Sequence, residues 1–137
     1  MTSMTTPQNL PKGLIELGEK KVHELLRNVK HVNFCMLCTA DGFEIAVATK
    51  RQMNNVSKVA AVSSSIIAMV SAFISEINLE DCQTITLDAK NGKALLTSIP
   101  HPKHPAVLVA LTDREVLLGQ ILYELKATSE EISRFNS

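Results

Sequence analysis

Tryptophan is absent from this chain, and tyrosine occurs only once, as Tyr123. Because nucleic acid bases stack on aromatic side chains, a single tyrosine leaves little surface for binding them. Neither charge is in excess, since 14 lysine and arginine residues balance 14 aspartate and glutamate residues. Such a balance predicts no broad positive field that would attract nucleic acid or anionic lipid. The composition therefore favours protein partners and no nucleic acid.

Glycine is scarce, with five residues, and neither the phosphate-binding loop of nucleotide hydrolases nor the glycine-rich dinucleotide motif occurs. Three serines at 63–65 fall in a helix with no histidine nearby in sequence, although His23 or His31 could approach them in space. Helix packing explains these serines better than a nucleophile does. We expect no catalytic residue, no cofactor and no enzymatic activity.

Cysteine is rare and odd in number, with Cys35, Cys38 and Cys82. Residues 1–11 carry no charged side chain and no apolar run, so they lack both parts of a secretory signal. An odd number of cysteines without such a signal favours reduced thiols. The sequence therefore predicts a cytoplasmic protein.

Two groups of residues resemble incomplete metal sites. Cys35 and Cys38 have the spacing of zinc and redox motifs, but they fall in a strand-like run, where residues three apart point to opposite faces. His101 and His104 flank Lys103 in a proline-rich loop without a carboxylate, and a constrained surface turn also explains them. We expect buried cysteines, a loop at the histidines and no bound metal.

The residues at 59–75 form the longest run without a charge, 17 residues that include five serines. This run is shorter than the ~20 apolar residues that span a bilayer. It predicts a buried helix and no membrane insertion.

Hydrophobic periodicity divides the rest of the chain into a flexible tail at 1–11 and one domain at 12–137. Asp41-Gly42 and Asn91-Gly92 indicate two hairpins, and the continuous apolar run at 106–111 indicates a strand at the sheet centre. Thr112 and Glu115 have the spacing of a capping box for the last helix. The predicted elements are a helix from 14, strands at 32–39 and 43–48, a helix from 55 or 57 to about 77, strands at 82–88, 93–99 and 106–111, and a helix to about 134.

This order predicts an α/β sandwich of the α+β type, because covered central strands require helices on both faces of one five-stranded antiparallel sheet. The middle helix has more apolar surface than one sheet can cover. One side, expected to pack on the sheet, carries Val56, Val59, Ala60, Ile66, Ile67, Val70, Phe73, Ile74 and Ile77.

The other side of the middle helix carries small or flexible residues and no charge, which predicts burial against a second copy of the chain in a two-fold homodimer. The strand at 82–88 is the expected edge, and dimerisation would cover it. A monomer whose small residues lie under polar loops is the alternative. The predicted dimer interface consists of Ala61, Ser64, Ser65, Ala68, Met69, Ala72, Cys82, Thr84 and Thr86.

Four segments together resemble one family. Residues 32–46 are similar to its first hairpin, 60–65 to its small-residue middle helix, Gly92 to its second hairpin turn, and 116–121 to the start of its last helix. The family is the roadblock/dynein light-chain superfamily, and residues 12–135 most resemble its bacterial branch of gliding-motility GTPase regulators. The loop at 100–105 departs from the family.

The resemblance implies a homodimer joined through the middle helices and third strands. It also implies a non-catalytic regulator or scaffold, GTPase-activating for example, whose partner is a Ras-like small GTPase. A structural adaptor in a larger complex is the alternative function. A small-molecule sensor would need a core cavity, whereas the plentiful alanine predicts tight packing.

Overall fold

The computed structural model describes residues 9–136, and these form one five-stranded antiparallel sheet with three helices. The predicted fold class and element order are confirmed. Of the predicted tail, residues 1–8 lie outside the described residues. The elements are α1 (Lys12–Asn28), β1 (Val32–Thr39), β2 (Glu44–Thr49), α2 (Val56–Glu76), β3 (Thr84–Ala89), β4 (Gly92–Ile99), β5 (Ala106–Asp113) and α3 (Leu118–Ser133).

The strands lie in the order β2-β1-β5-β4-β3. The apolar run that forms β5 is therefore at the centre, as predicted, paired with β1 on one side and β4 on the other. Strand β3 lies at one edge of the sheet and β2 at the other. The prediction that residues 82–88 contain an edge strand is confirmed.

Each face of the sheet has its own core. Helices α1 and α3 cover one face, where Leu14, Val22 and Ile121 pack with Cys35. Helix α2 lies on the opposite face, where Ala60 belongs to the core that includes Phe34, Met36 and Cys38. Cys35 and Cys38 thus lie on opposite faces, as the strand alternation predicts. Burial raises the pKa of both thiols to about 12.

The first hairpin turns at Gly42, which has a positive φ of 97°. This conformation is easy for glycine and costly for other residues, so the Asp-Gly prediction is confirmed. The turn also packs on α2, because a Cβ on Gly42 would lie 3.0 Å from Ser64 Oγ and 3.1 Å from Ala61 Cα. Small residues on α2 therefore allow the turn to approach the helix.

The predicted capping box at Thr112 and Glu115 is wrong. Thr112 is buried in β5, where it pairs with Val32 of β1 and Lys93 of β4, and its hydroxyl donates to the Asp113 carbonyl. Strand pairing on both sides keeps the backbone extended to Asp113, so α3 begins only at Leu118. Neither α2 nor α3 has a side-chain hydrogen bond at its N-cap.

The proline-rich loop at 100–105 is held by a buried histidine. His101 is 5% exposed, and its Nε2 lies 2.7 Å from the carbonyl oxygen of Phe135, to which it can donate. Its Nδ1 accepts the backbone N–H groups of Lys103 and His104 at 3.1 and 3.0 Å. His101 thus connects the loop to the end of α3, and both of its ring nitrogens are used in this structural role.

Candidate protein-interaction surface

Helix α2 is much less buried than the sequence indicates. Ala60 and Ser63 are its only buried residues, and Phe73 and Ile77, which we expected on the sheet, are 62% and 47% exposed. The prediction that Phe73 and Ile77 pack on the sheet is therefore wrong, whereas burial of the other side of the helix against a second copy stays a prediction. Of the helices in residues 9–136, α2 alone is long and apolar enough to cross a membrane, judged by length and composition. The sheet of the same chain therefore leaves much of the apolar surface of α2 exposed.

The exposed apolar surface is concentrated on one side of α2. Val62, Met69 and Phe73 are 51%, 68% and 62% exposed, and their spacing of seven and four residues places them on the same side of the helix. Leu87 of β3, 44% exposed, lies beside Val62. We call these four residues the α2 flank. Contiguous exposed apolar residues of this kind mark interaction sites in soluble proteins.

A groove of about 260 Å³ runs beneath the α2 flank, between α2 and the sheet. Its walls are almost entirely apolar, and one end is bordered by Asn55 and Lys58. Such a groove can receive a large apolar side chain from a partner. The apolar residues that line it are Val59, Val62, Ile66, Leu87, Ala94, Leu96, Val109 and Leu111.

Strand β3 offers a second feature beside the flank, namely an edge with no neighbouring strand among the described residues. It contains no proline and no lysine, and its single charge is Asp88 near the end. Edge strands without such protection are prone to pair with another chain. The open edge and the α2 flank are adjacent, so one partner can cover both.

The predicted interface residues are not all on one surface. Ala61 and Ser64 lie against the turn at Gly42. Thr84 bonds with Thr97 across the sheet face opposite α2, since Ile85 packs on the α2 side. Ala61, Ser65, Ala68, Met69, Ala72 and Thr86 are exposed, whereas Ser64, Cys82 and Thr84 are partly buried.

Sequence reasoning missed Val62, Phe73 and Leu87 as surface residues. The signal was the spacing of 62, 69 and 73, which defines a side of α2 between its small-residue face and its sheet-facing side. Only the position of the helix on the sheet shows that this side stays open. Among residues 9–136, no group of three or more histidine, cysteine or acidic side chains is placed to hold a metal ion.

The sequence matches a known family of protein domains. The model of the Roadblock/LC7 domain matches residues 19–110, which is two-thirds of the chain. None of the curated proteins compared with the chain matches it.

The fold is similar to those of several solved structures. The gliding protein MglB from Thermus thermophilus superposes with a TM-score of 0.80 at 17% identity, covering 98% of this chain and 96% of that one. A structure described as MglB with a tetrameric arrangement gives 0.81 at 17% identity, covering 98% and 96%. Myxococcus xanthus MglB gives 0.80 at 15% identity, covering 91% of both chains. At these identities the likeness establishes the fold.

Proposed function

This chain belongs to the Roadblock/LC7 family, and from that membership we propose that it is a non-catalytic, homodimeric regulator or scaffold for a Ras-like small GTPase. The observation that carries the proposal is the α2 flank beside the open edge of β3. A surface of this kind is stable in water when a partner covers it. A second copy of the chain is the proposed cover.

One stripe of α2 is complementary to itself. Six exposed residues recur along it at intervals of four, three, four, four and three, which is one face of an α-helix. In an antiparallel pair centred near position 67, each large residue faces a smaller or oppositely charged residue on the other helix. The stripe consists of Lys58, Val62, Ser65, Met69, Phe73 and Glu76.

The pairs in this arrangement are chemically reasonable. Lys58 faces Glu76 of the second copy, so opposite charges meet at both ends. Val62 faces Phe73, which can enter the apolar groove, and Ser65 leaves room for Met69. A two-fold axis repeats every contact, which is the arrangement that most homodimers use.

Reversing one charge of the stripe tests this orientation. We expect Lys58→Glu or Glu76→Lys alone to weaken the dimer several-fold, because each places like charges opposite each other at both ends of the pair. The double variant Lys58→Glu/Glu76→Lys should restore the wild-type dissociation constant, measured by sedimentation equilibrium at low salt. A double variant as weak as the sum of the single ones would contradict the antiparallel pairing.

The regulatory role is supported by the family and by the resemblance of the sequence to gliding-motility GTPase regulators. The structural neighbours named MglB have the same fold over nearly the whole chain. We propose that any activation acts by positioning the GTPase's own switch loops, whose order depends on the γ-phosphate. We further propose a cytoplasmic location, where the three thiols stay reduced.

Titration against small GTPases of the same cell tests the role. Each GTPase is loaded with GDP or with a non-hydrolysable GTP analogue, and binding is followed by calorimetry. We expect one of them to bind at least about tenfold more tightly in one nucleotide state, because its switch loops differ between the states. Equal affinity in both states would favour a structural adaptor, and no binding to any of them would exclude the GTPase role.

A further inference from the structure

The zero net charge of the chain conceals two oppositely charged ends. Four connections meet at one end of the sheet, within 29–33, 49–58, 88–93 and 113–117, and they carry seven cations against three carboxylates, a formal charge of +4. The connections at the other end, within 39–44, 76–84 and 99–106, carry five carboxylates and one lysine, a formal charge of −4. The cations of the basic end are Lys30, Lys50, Arg51, Lys58, Lys90, Lys93 and Arg114.

Backbone pairing shows that the connections of the basic end are neighbours. Gly92 of β4 pairs with Asp113 of β5, and the Asp113 N–H donates to the His31 carbonyl before β1 at 3.0 Å. The Lys50 N–H, after β2, donates to the Asn33 carbonyl of β1 at 2.9 Å. The charges therefore lie in one continuous row across the end of the sheet, where the five strands begin or finish.

Most of the carboxylates at this end form salt bridges, whereas most of its cations form none among the described residues. Asp88 binds Lys93 at 2.7 Å, and Asp113 binds His31 at 3.0 Å, and these contacts lower the pKa of both carboxyl groups. Six of the seven cations form no salt bridge within residues 9–136. Five of these six are exposed lysines or arginines outside the α2 stripe, namely Lys30, Lys50, Arg51, Lys90 and Arg114.

We propose that the basic end is a second interaction surface, separate from the α2 flank, which binds an acidic surface or segment of a partner protein. Five strands at about 4.8 Å spacing make this end of the sheet roughly 20 Å wide, which is comparable with one side of an ordinary protein interface. Opposite charge over that width accelerates association and selects partners by sign.

The chemistry favours a protein over the other anionic partners. In the antiparallel dimer proposed above, each basic end lies beside the acidic end of the second copy, so a flat anionic membrane would meet both signs. Charge is screened beyond about 8 Å at physiological salt, and a partner of limited size can therefore contact the basic end alone. Tyr123, the only tyrosine, lies on α3, so the basic end has no tyrosine or tryptophan on which bases could stack.

Fluorescence anisotropy of the full chain with a labelled glutamate decapeptide tests the surface. We expect binding at low ionic strength that weakens steeply as salt is added. The triple variant Lys30→Glu/Arg51→Glu/Arg114→Glu should bind at least about tenfold more weakly, because it reverses the local field. The matched control Lys12→Glu/Lys20→Glu/Lys126→Glu has the same net charge but leaves the basic end intact, and its affinity should stay within about twofold of wild type.

Three results would overturn the proposal. One is an equal loss of binding in both triple variants, which would mean that net charge alone matters. The second is tighter binding of a thymidylate decamer, and the third is tighter binding of vesicles with phosphatidylserine. Size-exclusion chromatography of both variants shows whether the dimer persists, so a failure of this surface is distinguishable from a failure of the proposed dimer.

Discussion

Met69→Glu should convert the proposed dimer to monomers. Met69 lies near the middle of the α2 stripe and is 68% exposed in the single chain, so the substitution can be accommodated without disturbing the monomer core. In the dimer the new carboxylate would be buried without a partner, at a cost of about 3–5 kcal/mol for a two-fold pair. That cost raises the dissociation constant by at least about a hundredfold. Analytical ultracentrifugation over a range of concentrations measures it.

Tyr123→Glu is the matched control. Tyr123 is 70% exposed and lies on α3, on the sheet face opposite α2. The new charge is as accessible as the one at position 69, but it is outside the proposed interface, so the dissociation constant should stay at the wild-type value. Equal dissociation by both variants, or a wild-type chain that is monomeric at high concentration, would exclude the α2 flank as the dimer surface.

Gly92→Ala should be the most destabilising of the five glycine-to-alanine substitutions in this chain. A Cβ at Gly92 would clash with the Thr112 carbonyl oxygen, which is a backbone atom in the central strand β5. Relief requires β4 to move away from β5, because no rotation of a side chain can open the space. We expect a loss of about 3 kcal/mol in the free energy of unfolding, which lowers the melting temperature by roughly 10 °C. Urea unfolding followed by circular dichroism measures it.

Gly119→Ala provides the comparison for that experiment. Apart from its chain neighbours and the backbone of its own helix, nothing lies within 4 Å of a Cβ built at Gly119, which is in the first turn of α3. Alanine is a better helix former than glycine, so this variant should be unchanged or more stable by up to ~1 kcal/mol. If Gly92→Ala unfolds at the same urea concentration as Gly119→Ala, the close approach of β4 to β5 is not a constraint on stability.

Much of the fold follows from local signals in the sequence. The alternation around Cys35 and Cys38, the turn at Gly42 and the continuous apolar run of β5 each depend on neighbouring residues only, and each is confirmed. The capping box at Thr112 failed because its residues take part in long-range pairing. A local motif of two residues is weaker than a strand with neighbours on both sides.

The candidate site was less accessible to sequence reasoning. The apolar excess of the middle helix correctly indicates an unpaired surface, but the direction in which the helix faces the sheet determines which residues form it. Small residues such as Ala61 and Ser64 serve the turn at Gly42, whereas Met69 and Phe73 remain exposed. Periodicity gives the angle between residues on a helix, and it gives no angle between the helix and its neighbours.

The sequence by itself determined the order of helices and strands, the central and edge positions of β5 and β3, and the family. The tertiary structure alone decided which side of α2 is open and how the charges are distributed. A net charge of zero led us to expect no broad positive field, yet the topology places seven cations at one end of the sheet. The physical reason is that strand order brings together connections that are distant in sequence, and composition contains no information about that arrangement.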